Sequence, residues 1–218
     1  MTKTTIIFDM DGLMVDSEPL SQQAWTQVLQ PLGATMTSEI HSRMIGGRID
    51  ASARFVREEF GLTIADEELI RRKKATMAAL VGDGVPIMPG LVALHDEIAR
   101  RNIRWGVATS SPRQHAIDVL TQLDLLDACE AIAAGDEVTQ GKPAPDIYLL
   151  AAERLGVQPA DCLALEDSAP GCEAAAAAGM AVVAIPNEGT ETAVFPCADY
   201  KLDSLTAFAA HPVFLGMG

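Results

Sequence analysis

Two aspartates, Asp9 and Asp11, stand one residue apart at the end of the apolar run Thr4 to Phe8, and Gly12 follows them directly. Phe8, Asp9 and Met10 prolong the apolar stretch, so Asp9 is expected to be substantially buried. An unpaired buried carboxylate costs on the order of several kcal/mol, so Asp9 needs a cation. Magnesium suits the place, because it is held by few carboxylates together with waters and substrate phosphate. Asp167, at the end of another apolar run, can supply a second carboxylate. Residues i and i+2 of a strand face the same side. Asp11 can therefore reach Asp9's cavity if the extended geometry persists, with Gly12 turning the backbone away at positive φ.

The elements that must carry these groups are legible as periodicity. Short apolar runs predict strands at Thr4 to Phe8, Ile103 to Ala108, Glu130 to Ala133, Cys162 to Leu165 and Ala181 to Ile185. Helical spacing relates Leu91, Leu94 and Ile98, then Ala116, Ile117 and Leu120, then Ile147, Leu150 and Ala151, with Gly156 and Gly179 where helix ends are expected. Alternating strands and helices imply an α/β fold, a parallel sheet covered on both faces. From Asp16 to about Val81 the alternation stops and only helical patterns remain, Ser17 to Leu32, Asp50 to Phe60 and Asp66 to Leu80. The Gly/Pro-rich segment VGDGVPIMPG closes the interval. The expected organisation is a Rossmann-like core, residues 1–15 and 83–218, with a small all-helical domain, 16–82, inserted after the first strand. Hinges are expected near Leu13 to Ser17 and Gly82 to Pro89.

Ligands of an open parallel sheet bind at the carboxyl ends of its strands. Four of those ends are polar: Asp9 and Asp11; Thr109, Ser110 and Ser111; the loop GDEVTQGKPAPD with Lys142; and Glu166, Asp167 and Ser168. Singly, each set has an ordinary explanation. Hydroxyls before Pro112 and before Ala169-Pro170 are good helix caps, and a loop lysine is commonly solvated. Together they suit phosphoryl transfer, which needs charge neutralisation, an in-line nucleophile and a proton donor for the leaving oxygen. Asp9 fits the nucleophile, passing through an aspartyl-phosphate. Asp11 fits the acid that protonates the leaving alcohol and the base that later activates water. Magnesium, Lys142, the Thr109 hydroxyl and the N–H groups opening the helix after Pro112 supply the positive field.

The chain of 218 residues is 49% hydrophobic and carries a formal charge of -14, enough for a sizeable core and poorly suited to a nucleic-acid backbone or an anionic membrane. The N-terminal apolar run is too short for a signal peptide, and no span approaches a transmembrane helix. The four cysteines, Cys129, Cys162, Cys172 and Cys197, form no CxxC pair, so they are expected to be reduced small hydrophobes of a cytoplasmic protein. A P-loop is set aside because Pro143 stands where Ser or Thr is required.

DMDG at Asp9 to Gly12, the strand-terminal Thr109, the lysine of GKPAPD and LEDS at Leu165 to Ser168 resemble, in order, the four motifs of the haloacid dehalogenase-like superfamily. The resemblance covers essentially the whole chain. It implies a magnesium cofactor, Asp9 as nucleophile and Asp11 as acid and base. Metal contacts are implied for the Asp9 side chain, the Asp11 backbone carbonyl and Asp167, with Glu166 acting through water. Thr109 and Lys142 would bind the transferring phosphoryl group, assisted by the Ser110 N–H. The inserted helices resemble the cap of the branch containing phosphoglycolate phosphatases, sugar-phosphate phosphatases and β-phosphoglucomutase, and DMDGLMVDSEP with GGRID points to the sugar-phosphate phosphatases. Arg48 and Lys73 are the candidates for contacting a small phosphorylated substrate from the cap, each also readable as a solvated helix-face charge. Mutases of the branch carry a histidine where this chain has Ser21, which weakens that alternative, and His95 fits a partly exposed helix face. A phosphorylated receiver domain is the alternative from another class, disfavoured by the long insertion after the first strand. A monomer or weak homodimer is expected.

Overall fold

The computed structural model describes residues 3–82 and 84–217; Met1, Thr2, Gly218 and Asp83, where the second core segment was expected to begin, lie outside the described residues. The elements run β1 (Thr5–Phe8), α1 (Glu18–Leu29), α2 (Ser38–Ser42), α3 (Ile49–Glu59), α4 (Asp66–Val81), α5 (Leu91–Arg100), β2 (Arg104–Thr109), α6 (Arg113–Gln122), β3 (Ile132–Ala134), α7 (Asp146–Leu155), β4 (Cys162–Glu166), α8 (Ala169–Ala177), β5 (Ala181–Ala184), β6 (Tyr200–Lys201), α9 (Leu205–Ala209) and α10 (Pro212–Leu215). Among the described residues the six strands form one parallel sheet in the order β3-β2-β1-β4-β5-β6. The five expected strands are all present, within two residues of their expected bounds. The two-residue β6 and the short helices α2, α9 and α10 are additional.

Strand periodicity explains the two core layers. Ile6 and Phe8 pack on one face with Leu94, Ile98, Leu120 and Phe208, whereas Ile7 packs on the other with Ile147, Tyr148 and Ala175. Because both faces are covered, the central strands read as unbroken apolar runs. Gly156, with φ of 67°, and Gly179, with φ of 85°, sit just past the ends of α7 and α8 in the left-handed region, as their placement implied.

The helices α1 to α4 gather around an apolar cluster of their own, built from Trp25, Val28, Leu29, Met36, Met44, Ala53, Val56 and Leu69. This inserted helical cap joins the core through two chain segments that lie side by side. Val15 forms an antiparallel bridge with Ile87, Asp16 N–H donates to Pro86 O at 2.8 Å, and Met88 N–H donates to Met14 O at 3.0 Å. Met14 to Asp16 and Pro86 to Met88, each inside one of the expected hinge regions, form this narrow ribbon.

Candidate active site

The sheet order places β1 between β2 and β4, with Phe8 level with Val107 and Leu165. The residues that follow, Asp9, Thr109, Glu166 and Asp167, therefore emerge together. All four are buried, Asp9 being 5% exposed and Glu166 wholly enclosed. Gly12 turns the chain at φ of 88°, and a Cβ there would lie 2.3 Å from Asp167 Oδ2, so both conformation and close approach require glycine.

Lys142 is not a solvated loop residue. Its ammonium is enclosed and donates to Asp9 Oδ1 at 2.5 Å and Glu166 Oε1 at 2.6 Å. Burial works against that charge, yet the two carboxylates hold it above the ordinary lysine value. Glu166 also accepts from the Tyr148 hydroxyl at 2.7 Å, from the Asp167 and Ser168 N–H groups and from Ser168 Oγ at 2.9 Å. Both of its oxygens are thus engaged by protein donors, and its immediate effect is to anchor Lys142. Ser168 does cap α8 as expected, accepting from Gly171 N–H at 3.2 Å.

Ligand atoms of Asp9, Glu166 and Asp167 lie within 4.8 Å of one another. Three carboxylates facing one ammonium leave two uncompensated negative charges in a buried space. Burial, followed by mutual repulsion among the acids, pushes Asp167 well above the usual carboxylate range, and burial does the same to Asp9 against the opposing pull of Lys142. Asp167 Oδ2 accepts from Asn187 Nδ2 at 2.8 Å, while Asp167 Oδ1 is buried with no hydrogen-bond partner. An orphaned anionic oxygen beside a double charge deficit fits a divalent, oxygen-seeking cation held by Asp9 and Asp167. Tyr148 and Asn187 were not legible as site residues, since each reaches the site from an element that only the fold brings close.

Asp11 is surrounded by donors. Ser17 Oγ reaches Oδ1 at 2.9 Å, Ser111 Oγ reaches Oδ2 at 2.7 Å, Thr109 Oγ1 reaches Oδ2 at 3.4 Å, and His115 Nε2 lies 3.5 Å from Oδ1. Burial opposes its ionisation, but His115 and the hydroxyls hold Asp11 well below the usual carboxylate range. The capping explanation for Thr109 to Ser111 does not hold. The residue before α6 is Pro112, which has no side-chain cap bond, and the Ser111 hydroxyl serves Asp11 instead.

Between cap and core lies a cleft of about 580 Å³, with Asp9, Asp11, Thr109 and Ser110 on the core side and Glu18, Ser21, His41 and Lys73 on the cap side. Ser110 Oγ donates to Gly46 O at 2.8 Å, so its side chain ties core to cap. Lys73 is only 6% exposed, which excludes the solvated alternative; its neighbours Arg71 and Arg72 are the residues that pair with Glu68, at 2.7 Å each. Arg48 does not line this cleft. Its guanidinium pairs with Asp50 at 3.1 Å and donates to Val138 O at 3.0 Å, spanning to the loop that carries Lys142. His95 is also not at a partly exposed face. It is buried in the core, with its ring 5.1 Å from Phe8 and 4.4 Å from Trp105. All four cysteines are free, although Cys197 is exposed rather than packed. No helix among the described residues is long and apolar enough to cross a membrane.

Fold and site together define a phosphoryl-transfer hydrolase, and the match of residues 3–179 to the model described as haloacid dehalogenase-like hydrolase shows that the chain belongs to that family. Hexitol phosphatase B of Escherichia coli (strain K12) is 37% identical over 94% of this chain and 93% of its own. Beta-phosphoglucomutase of Bacillus subtilis (strain 168) is 31% identical over 92% of each chain. Among solved structures, CbbY from Rhodobacter sphaeroides in complex with phosphate superimposes with a TM-score of 0.80 at 30% identity, covering 94% of this chain and 95% of that one. The chain is accordingly an enzyme of the phosphatase class.

Proposed function

We propose that this protein is a magnesium-dependent phosphomonoesterase that hydrolyses a sugar or polyol phosphate through an aspartyl-phosphate on Asp9. In this reading residues 1–15 and 83–218 are the catalytic core and 16–82 the cap. The observation that carries it is the charge deficit around Asp9, Glu166 and Asp167, where a buried carboxylate oxygen of Asp167 has no protein partner. A magnesium ion held by the Asp9 and Asp167 carboxylates and the Asp11 carbonyl would screen the acids and draw charge from the phosphoryl oxygens.

The chain's own residues do the rest. Lys142, fixed between Asp9 and Glu166, orients the nucleophile and neutralises the phosphoryl group, with the Thr109 hydroxyl and the Ser110 N–H as further donors. The second oxygen of Asp9 attacks phosphorus, and Asp11 gives its proton to the leaving alcohol. Asp11 then takes a proton from water as the phosphoenzyme is hydrolysed. In the arrangement seen here the donors around Asp11 favour its anion. It must leave Ser111 and His115 to act as an acid, and seating of the leaving group under the cap provides that change of environment. Lys73 contacts the leaving group from the cap side of the cleft. The free cysteines support a reducing, cytoplasmic setting.

A second reading, transfer of phosphate between positions of a hexose phosphate, is favoured by one observation. His41 on α2 does not occupy the sequence position at which mutases of this branch carry their histidine, but it brings its Nε2 to 3.2 Å from the Oγ of Ser21, the residue that stands there. Phosphate release from a panel of sugar, polyol and glycolate phosphates, with and without magnesium, tests the main reading. Sugar-phosphate interconversion with a bisphosphate primer present tests the second. Release that is unaffected by chelation of divalent ions would count against the main proposal.

A further inference from the structure

Asn187, in the loop after β5, ties two parts of the site together, and no step of the phosphoryl chemistry uses it. Its Nδ2 donates to Asp167 Oδ2 at 2.8 Å and to Gly12 O at 3.0 Å. Both amide protons are thereby spent, one on a carboxylate assigned to the metal, the other on the residue after Asp11, whose carbonyl is assigned to it as well. The far end of the amide is locked. Asn187 Oδ1 accepts from Gly189 N–H at 2.8 Å and from Thr190 Oγ1 at 3.4 Å, while the Asn187 N–H donates to Thr190 Oγ1 at 3.0 Å. A backbone N–H can only donate, so the amide oxygen must face this turn and the NH2 must face Asp167.

The turn alone does not call for asparagine. An aspartate would accept from Gly189 in the same way, but it would aim a further anionic oxygen at Asp167. A lysine or arginine would donate, yet its charge would compensate the carboxylate and so compete with a cation. A neutral amide does neither. It occupies Oδ2, and the buried Oδ1 of Asp167, which has no protein partner, is the oxygen left for the metal. The approach is close, since a Cβ on Gly12 would lie 2.6 Å from Asn187 Nδ2. We infer that Asn187 is a positioning residue for the magnesium site, fixing the Asp167 carboxylate against the turn that follows Asp11. This rests on the metal-dependent reading above and adds to it a residue beyond the span 3–179 that the family model matches.

The test titrates magnesium calorimetrically into the metal-free full chain, as parent, Asn187→Leu and Thr190→Val, at a temperature where circular dichroism shows each to be folded. Asn187→Leu keeps the size of the side chain and removes both donors, so its magnesium dissociation constant should rise about 10- to 100-fold, the usual cost of losing such a partner. Asn187→Ala is read in the same way where the leucine does not fold. Thr190→Val removes the hydroxyl that accepts from Asn187 N–H but spares the amide's bonds to Asp167 and Gly12, so it should bind magnesium as the parent does. Turnover of p-nitrophenyl phosphate is the second readout: Asn187→Leu should regain most of the parent kcat once magnesium is raised to match its weaker binding. A rise of less than about threefold in the Asn187 variant, short of that range, overturns the inference. So does an equal loss in Thr190→Val, which would make the effect one of turn integrity, and so does a kcat that stays low at saturating magnesium. Failure of the metal-dependent reading has a different signature, a parent chain that takes up no magnesium, and it would take this inference with it.

Discussion

Replacing Lys142 by methionine tests the charge accounting on which the site depends. The side chain keeps its length, but Asp9 and Glu166 lose the ammonium that lies 2.5 and 2.6 Å from them. All three groups are buried, so solvent cannot take over the screening. Removing one partner of a buried ion pair costs about 3 to 5 kcal/mol. At roughly 2 to 4 °C per kcal/mol for a chain of this size, melting should fall by about 6 to 20 °C. The deficit should shrink below neutral pH, where Asp9, whose carboxyl burial holds well above the usual range, takes up a proton. Adding Glu166→Gln to Lys142→Met removes one of the stranded charges, so the double variant should recover about 0.5 to 3 kcal/mol relative to the sum of the single effects. Urea denaturation at two pH values, on parent, both single variants and the double, measures each quantity. Strict additivity, or a Lys142→Met melting point within about 2 °C of the parent, would refute the reasoning.

Asp9→Asn should abolish phosphate release while leaving circular dichroism and melting close to the parent, since the amide keeps the shape of the side chain, Lys142 keeps Glu166 as its partner and one of three crowded acids is neutralised. Asp11→Asn should still allow a stoichiometric burst with a good leaving group such as p-nitrophenol but slow turnover of an alkyl phosphate by at least about 100-fold, the usual scale of general acid–base catalysis; unchanged alkyl-phosphate kinetics would remove its assigned role. Burial pushes His95 down to about 4 from an ordinary value near 6.5. The unfolded chain therefore binds its proton first, and stability contributed by the neutral ring is lost as pH falls from about 6.5 towards 4, by on the order of 3 kcal/mol. His95→Phe should flatten that part of the stability curve relative to the parent in denaturation at stepped pH, and parallel curves would contradict the account.

The parts legible in the sequence are those where one physical demand dominates locally. Apolar runs buried on both faces announced five strands, and carboxylates placed where those runs end announced the site. β6 carried no such mark because it is a two-residue exposed edge, and α2 is too short to show a period. His95 offered a signal that went unused: it stands four residues after Leu91 and beside Leu94, inside the apolar stripe of α5. Tyr148 and Asn187 gave none, because a tyrosine in an apolar helix and an asparagine in a loop become site residues only when the sheet order brings α7 and the loop after β5 beside β4. Arg48 shows the reverse. Its charge suggested a ligand, but a neighbouring aspartate and a carbonyl across the domain boundary were nearer.

The antiparallel bridge between Val15 and Ile87 means that the cap leaves and rejoins the sheet at practically one point. A short turn joining those two residues would yield a bare-sheet enzyme with its acidic pocket open to bulky phosphoesters, and a different helical bundle spliced at the same seam would redirect selectivity without disturbing a single core strand. A module changed at this seam would alter the wall facing the leaving group while leaving in place the strands that carry Asp9, Thr109 and Glu166, with Ser17 the one donor to Asp11 that would have to be kept.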